Sequence, residues 1–145
     1  MEYTGYFKDK NNNNLYTMKR DVLWTGSASS FAAQTISVPN MNKYDEIEVF
    51  FYNWIAEQYG RQSTKCPVAN GNNVHLSFSI NLYNGSTTTT CHFGARLGTL
   101  NTTNNTITWG AQHGAVVYVD NRNPSSSNDN NWGVPYKIVG YKYYE

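Results

Sequence analysis

The sequence predicts an all-β protein, an antiparallel β-sandwich of jelly-roll type. Alternation of apolar and polar residues with period 2 recurs along the chain, with no sustained 3.6-residue period. Turn signals separate these runs at intervals of about 8 to 12 residues, the spacing of sandwich strands. The composition agrees, with 20 Asn, 12 Tyr and 4 Trp among 145 residues. Asn tolerates left-handed turns, and Tyr and Trp suit a pleated, half-buried surface.

Taken in order, residues 1–20, with four consecutive asparagines at 11–14, read as an N-terminal arm or linker from a longer protein. Residues 21–145 read as a single β-sandwich domain. Strand 46–52 turns Ile47, Val49 and Phe51 inward, and its other face mixes Glu46 and Glu48 with Phe50 and Tyr52. Segment 54–61 has room for one short helical turn. After the Asn70-Gly71-Asn72-Asn73 turn comes the clearest strand, 74–83, with Val74, Leu76, Phe78, Ile80 and Leu82 on one face. Asn84-Gly85 then signals a primed-type hairpin turn. Strand 88–97 sets Cys91, Phe93, Ala95 and Leu97, the expected inner face, against Thr90, His92, Gly94 and Arg96. A polar turn at 101–105 and short strands at 106–109 and 115–119 lead into a long loop, 120–133. Loops of that length are functional or disordered. The last strand, 135–143, is β-branched and aromatic. Chain ends fray unless tied down, so this segment is expected to pair inside a sheet and close the fold. The predicted core is Ile47, Val49, Phe51, Val74, Leu76, Phe78, Ile80, Leu82 and Ile138.

A chain of 145 residues can bury a core without a metal or a disulfide framework. The net charge of +1, with 14% charged residues, argues against nucleic acid as a partner, because phosphate capture needs clustered Lys and Arg. No run approaches the ~20 apolar residues of a membrane helix, so membrane insertion is not expected. No secretory signal is visible either. Cys66 and Cys91 match no zinc spacing. Two separate reduced thiols are the simpler reading, and a disulfide between them is the alternative.

No catalytic constellation assembles, and no cofactor is expected. His75 and His92 alternate with core residues and are expected on outer faces. Cys91 and His92 are adjacent on a strand, so they face opposite ways and cannot form a dyad. Glu46 and Glu48 share a face at roughly 6 to 7 Å, within glycosidase range, although such pairs are common on sheets. The Asn-x-Ser/Thr matches at Asn84, Asn101 and Asn104 arise by chance in so Asn- and Thr-rich a chain.

What remains is a binding surface. Sugars are held by aromatic rings against their apolar faces and by amides and carboxylates that pair with hydroxyls. Trp132 beside Asn128, Asp129 and Asn130 offers both, with Asp120 and Arg122 at the loop's other end. These six are the candidate glycan-binding residues, Trp132 as stacking anchor. The alternative is that Trp132 folds back to cap the core while the asparagines solvate a turn. Trp54 and Tyr59 carry the same ambiguity, leaning towards packing.

Several blocks carry a family resemblance. The ending Tyr136-Lys137-Ile138-Val139-Gly140-Tyr141-Lys142 resembles the last strand of tail-fibre and baseplate domains of Firmicute phages. So does the entry Lys8-Asp9-Lys10-Asn11 followed by Leu15-Tyr16, and then Leu23-Trp24-Thr25-Gly26-Ser27 with Thr35-Ile36-Ser37-Val38. Tyr44-Asp45-Glu46-Ile47-Glu48-Val49-Phe50-Phe51-Tyr52 is similar to a further strand of that family. The blocks keep the family's order and cover most of the chain. The resemblance implies a non-enzymatic receptor-binding or structural domain at the virion's tail tip, made in the bacterial cytoplasm. Its implied partners are a host cell-surface saccharide, other tail proteins and itself as a homotrimer, with Phe50, Tyr52, Tyr141 and Tyr143 offering an associating face. A carbohydrate-binding module of a secreted enzyme and a small glycan hydrolase are the alternatives.

Overall fold

The computed structural model describes residues 3–8, 10–11, 14–55, 59–83, 89–118 and 123–144. Among the described residues, eleven strands form two antiparallel sheets packed against each other as a β-sandwich, and no α-helix occurs. The first sheet runs β1 (Tyr3–Lys8), β2 (Asn14–Thr25), β11 (Trp132–Tyr143), β4 (Glu46–Trp54) and β5 (Arg61–Pro67). The second is built on β7 (Thr89–Asn101). One edge of β7 pairs along its length with β6 (Asn73–Tyr83). Its other edge pairs first with β9 (His113–Tyr118) and then with β8 (Thr106–Trp109). The two-residue β10 (Ser125–Ser126) extends β9, and β3 (Gln34–Ser37) extends β8. The chain therefore changes sheet after β2, β3, β5 and β10.

The core lies between the sheets. Ile47, Val49, Phe51, Val134 and Ile138 from the first sheet share one buried cluster with Ile36, Val74, Leu76, Phe78, Leu100, Ile107 and Trp109. Seven of the nine predicted core residues are fully buried. Ile80 and Leu82 are half-buried. Phe78 already packs on Trp132, the first residue of β11, so the two residues further along β6 lie beyond the end of the facing strand.

Strand β7 presents the face opposite to the one expected. Thr90, Arg96, Gly98 and Leu100 are buried, while Phe93 and Leu97 are 45% and 40% exposed. Register compels this: Leu76 pairs with Arg96, Phe78 with Gly94 and Ile80 with His92, and directly paired residues share a face. Apolar volume comes from neighbours. A Cβ at Gly98 would lie 2.7 Å from the Trp109 ring, and one at Gly94 would lie 2.8 Å from Phe78 and 2.5 Å from Gln112 Nε2. His92 consequently faces inward, whereas His75 is exposed as expected.

The boundary drawn at residue 20 falls inside β2. Lys19 and Arg20 pair with Lys142 and Tyr141 on one side and with Thr4 and Tyr3 on the other. Backbone pairing needs no apolar side chains, so the polar stretch before Val22 hid a strand that is continuous with the domain. Of the helical turn expected at 54–61, residues 56–58 lie outside the described residues, Trp54 ends β4 and Arg61 begins β5. The Asn84-Gly85 turn also lies outside them, although β6 and β7 pair as the hairpin it implies.

The terminal strand is tied down as expected. β11 lies between β2 and β4, and Asp45 clamps its end. Asp45 accepts the Tyr143 N–H at 2.8 Å and the Lys142 ammonium at 3.0 Å, and its own N–H donates to the Tyr141 carbonyl. The Tyr143 N–H bond and then Lys142 hold its carboxyl below the usual carboxylate range. Both thiols are free. Cys66 is buried on the inner face of β5 beside Ile47, and Cys91 lies on the outer face of β7. The second sheet separates them.

Candidate functional site

The ends of β4, β6 and β9 and the starts of β5, β7 and β11 meet at one end of the sandwich. An aromatic stack occupies it. The Trp132 ring lies nearly parallel to Phe78 at 5.2 Å, His92 at 4.9 Å and Tyr59 at 5.9 Å, and edge-on to Trp54 at 4.6 Å. Trp132 is only 4% exposed, so no face is open to a sugar and it is not the surface anchor expected of it. Its surroundings explain why. Trp132 pairs with Trp54 across the sheet and is backed by Arg96, a fully buried guanidinium. Arg96 donates to the carbonyls of Trp132 at 3.1 Å, Gly133 at 3.0 Å and Gly110 at 2.9 Å, and it packs over the Phe31 ring at 5.3 Å. Burial pulls its pKa down to about 10, still far above neutrality, so the charge persists and the three carbonyls disperse it.

The exposed ring of the stack is Tyr59, at 47%. Its backbone is left-handed, with φ +65°, which is strained for a bulky residue. Asn53 holds it there. The buried Asn53 amide donates to the Tyr59 carbonyl at 2.7 Å and accepts from Gln62 at 2.6 Å, and the Asn53 N–H donates to the Gly60 carbonyl at 3.0 Å. Strain of this kind persists where the surroundings over-determine it, and it concentrates at functional sites.

Beside the stack runs the 127–131 loop. Asn128, Asp129 and Asn130 are all exposed. Asn128 Oδ1 accepts the Gly114 N–H at 3.1 Å, and Asp129 Oδ1 accepts the Asn131 N–H at 2.8 Å, an Asx-turn. The backbone carbonyls of Asn130 and Asn131 accept the N–H groups of Phe31 and Ile55. These side chains thus shape the loop and still present polar atoms at its surface. Asp120 and Arg122 lie outside the described residues. Burial lowers the His92 pKa, with nearby Asp129 opposing, and its Nδ1 is buried without a partner. Cys91 and His92 face opposite ways, as expected.

The Glu46 and Glu48 pair is engaged elsewhere, on the outer face of the first sheet. Glu48 accepts the Tyr141 hydroxyl at 2.5 Å and the Ser63 hydroxyl at 2.6 Å; Glu46 accepts the Tyr143 hydroxyl at 2.8 Å and lies 3.9 Å from Lys65. The bond to Glu46 pushes the Tyr143 pKa up to about 12, and burial, then the bond to Glu48, raises that of Tyr141. Cations cover the neighbouring rings: Lys137 over Phe50, Lys65 over Tyr141, and Arg61 over both Tyr52 and Tyr136. Tyr52 and Tyr141 are buried under this layer. Phe50, Tyr52 and Tyr141 of the face expected to associate are thus partnered within the chain, while Tyr143, bonded to Glu46, stays 45% exposed.

No group of three or more His, Cys, Asp or Glu side chains is placed to hold a metal ion among the described residues. No helix there is long and apolar enough to cross a membrane. No family model matches the chain, and neither a curated protein nor a solved structure matches it.

Two residues of the site carried weak signals in the sequence. Arg96 sits between Gly94 and Gly98, and glycines at i−2 and i+2 of a strand leave room for something large on that face. Tyr59 precedes Gly60, a turn signal that marks the segment as a loop tip. Asn53 gave no signal, because its role depends on the turn it closes.

Proposed function

We propose that this chain is a non-enzymatic recognition domain of a phage tail-fibre or baseplate protein, holding a host cell-surface saccharide at the loop end of the sandwich. The family part of this reading rests on the sequence resemblance. The site rests on one observation: Tyr59, half-exposed and held in a left-handed backbone by Asn53, caps a stack rooted in the core beside the amide-rich 127–131 loop. A rigid ring beside exposed Asn128, Asp129 and Asn130 supplies both halves of sugar recognition, stacking and hydroxyl pairing. Binding residues concentrate on loops held by a rigid scaffold. Trp132 supports the ring from below.

Association with itself is part of the proposal, on a different surface from the one expected. The outer face of the second sheet carries Phe93, Leu97 and Val117, all exposed, with Ala95 and Ala115 between them. Their outward partners on β6 are His75, Ser77 and Ser79, so among the described residues this face carries no Asp, Glu, Lys or Arg at those paired positions. Large apolar patches are uncommon on lone monomers. A homotrimer assembled through it would also multiply weak sugar contacts.

A glycan array, followed by titration of the wild type and Tyr59→Ala, tests the site. The variant is expected to lose binding with its melting temperature preserved. Binding retained in Tyr59→Ala, or no glycan bound by the wild type, overturns the assignment.

A further inference from the structure

A second site lies on the opposite side of the first sheet from Tyr59, with β11 and β4 between. Here β2 leaves the sheet and the 26–33 loop carries the chain to β3, leaving a cleft along the open edge of the sandwich. It holds two depressions, of about 290 and 380 Å³, that share Trp24 as a common wall. The smaller is formed by Gly26, Phe31 and Gln34 with the hydroxyls of Ser27, Ser29 and Ser30. The larger is formed by Val22, Leu23 and Thr25 of β2 with Ser37 and Pro39. Neither contains a charged residue.

The wall is built rather than incidental. Hydrogen bonds pin the loop near both ends, Gly26 N–H to the Tyr136 carbonyl and Phe31 N–H to the Asn130 carbonyl, each at 2.8 Å. Gly26 lies so close to the indole that a Cβ there would come within 2.4 Å of the Trp24 ring. Phe31, buried, meets Trp24 edge-on at 6.5 Å and Trp109 edge-on at 6.3 Å, with the Arg96 guanidinium over its ring. The Trp24 ring is thus braced by the core through Phe31 while remaining half-exposed. The Ser27 and Ser29 hydroxyls lie 2.7 Å apart, and a hydroxyl pair keeps acceptor lone pairs for a ligand.

We infer that this cleft binds an internal segment of a neutral glycan chain, with Trp24 stacking between two consecutive sugar units. The two depressions bracket the lower size limit of small-ligand pockets, about 300 Å³, a size suited to one sugar ring each. The lining combines the indole's apolar face with small hydroxyls and one amide, matching the two faces of a sugar ring. The absence of charge selects against sialylated or phosphorylated chains. Two depressions flanking one ring select a chain interior, where Tyr59 offers a single capping ring. The cleft does not rest on the Tyr59 assignment, because none of the residues that line it belongs to the Tyr59 site.

The test uses the intact chain, ¹⁵N-labelled, and a panel of neutral linear tetrasaccharides built on glucose, galactose or N-acetylglucosamine. A sialylated tetrasaccharide and an uncharged extended peptide serve as controls. At millimolar concentration a neutral member is expected to shift the Trp24 indole and the backbone amides of 27–30. The Ser27→Ala/Ser29→Ala variant removes hydroxyls at exposed positions; it should keep the melting temperature and bind about tenfold more weakly. Tyr59→Ala should bind at this cleft unchanged. Three results overturn the inference: no neutral tetrasaccharide shifting Trp24, the sialylated chain binding equally well, or the peptide binding instead by pairing with the edge of β3.

Discussion

Replacing Trp132 with alanine should destabilise the domain, because the residue is the keystone of the aromatic stack and not its exposed face. A buried tryptophan removes roughly 150–250 Å² from water. At about 25 cal/mol per Å² that is worth roughly 4–6 kcal/mol, an upper value because the unfolded chain is itself partly compact. Truncation of buried aromatics to alanine costs about 3–5 kcal/mol, the cavity included. Trp132 also meets four other rings, so relaxation into the cavity would disturb Phe78, His92, Tyr59 and Trp54 together. A loss of about 4 kcal/mol is a large part of the ~5–15 kcal/mol available to a domain. Each kcal/mol moves the melting temperature by about 4 °C at this chain length, so a fall of about 15 °C is expected in thermal unfolding followed by circular dichroism. Urea titration should show the midpoint falling with an unchanged slope. Trp132→Phe, which keeps a ring in the stack, should recover much of the loss. A melting temperature within about 2 °C of wild type, on that same scale, would refute the reasoning and return Trp132 to the surface.

Gly98→Ala should cost about 1–3 kcal/mol in urea titration, since its Cβ would meet the Trp109 ring at 2.7 Å. The pH dependence should have two shoulders in melting temperature. The lowered His92 pKa gives stability held above about pH 6.5 and lost as the pH falls below it, while raised Tyr141 and Tyr143 give stability held below about pH 10 and lost as the pH climbs towards about 12. A flat profile from pH 5 to 7 would dismiss the His92 contribution. Mild oxidation should leave two thiols titratable in the unfolded chain, because Cys66 faces the core from the first sheet while Cys91 lies on the outer face of the second; an intramolecular disulfide in the mass spectrum would contradict this. Phe93→Lys should shift light scattering towards the 16.5 kDa monomer, whereas Tyr143→Lys should not.

The sandwich and most of its core were legible because β6 alternates strictly from Val74 to Leu82 and β4 alternates from Glu46 to Phe51, before Tyr52 and Asn53 are buried as well. Strand β7 obeys it too, but hydrophobicity alone chose the wrong face. Gly94, Arg96 and Gly98 look like an outer face until Phe78, Gln112 and Trp109 are seen filling the space above them. Arg96 is buried without a carboxylate, and its carbonyl partners on Gly110, Trp132 and Gly133 belong to backbone that no side-chain pattern encodes. Length and polarity mark the 120–133 stretch as a loop, and Trp132 is its single large aromatic. A tryptophan that follows a polar loop looks the same whether its ring points out or in. Tyr59 became distinguishable from Trp54 through the Asn53 latch, a contact that exists once β4 and β5 are paired.

The placement of β11 has a consequence for how the protein is made. Among the described residues it is the strand synthesised after the other ten, yet it stands between β2 and β4. Until it arrives, those two strands have no common partner, and Ile47, Val49 and Phe51 face an incomplete layer. A chain broken off before residue 132 lacks the middle of a sheet and the root of the aromatic stack. The first sheet of a nascent copy is therefore unfinished until residues 132–143 have been made. Prematurely terminated copies would expose two unpaired strand edges, the kind of surface that proteases and chaperones recognise.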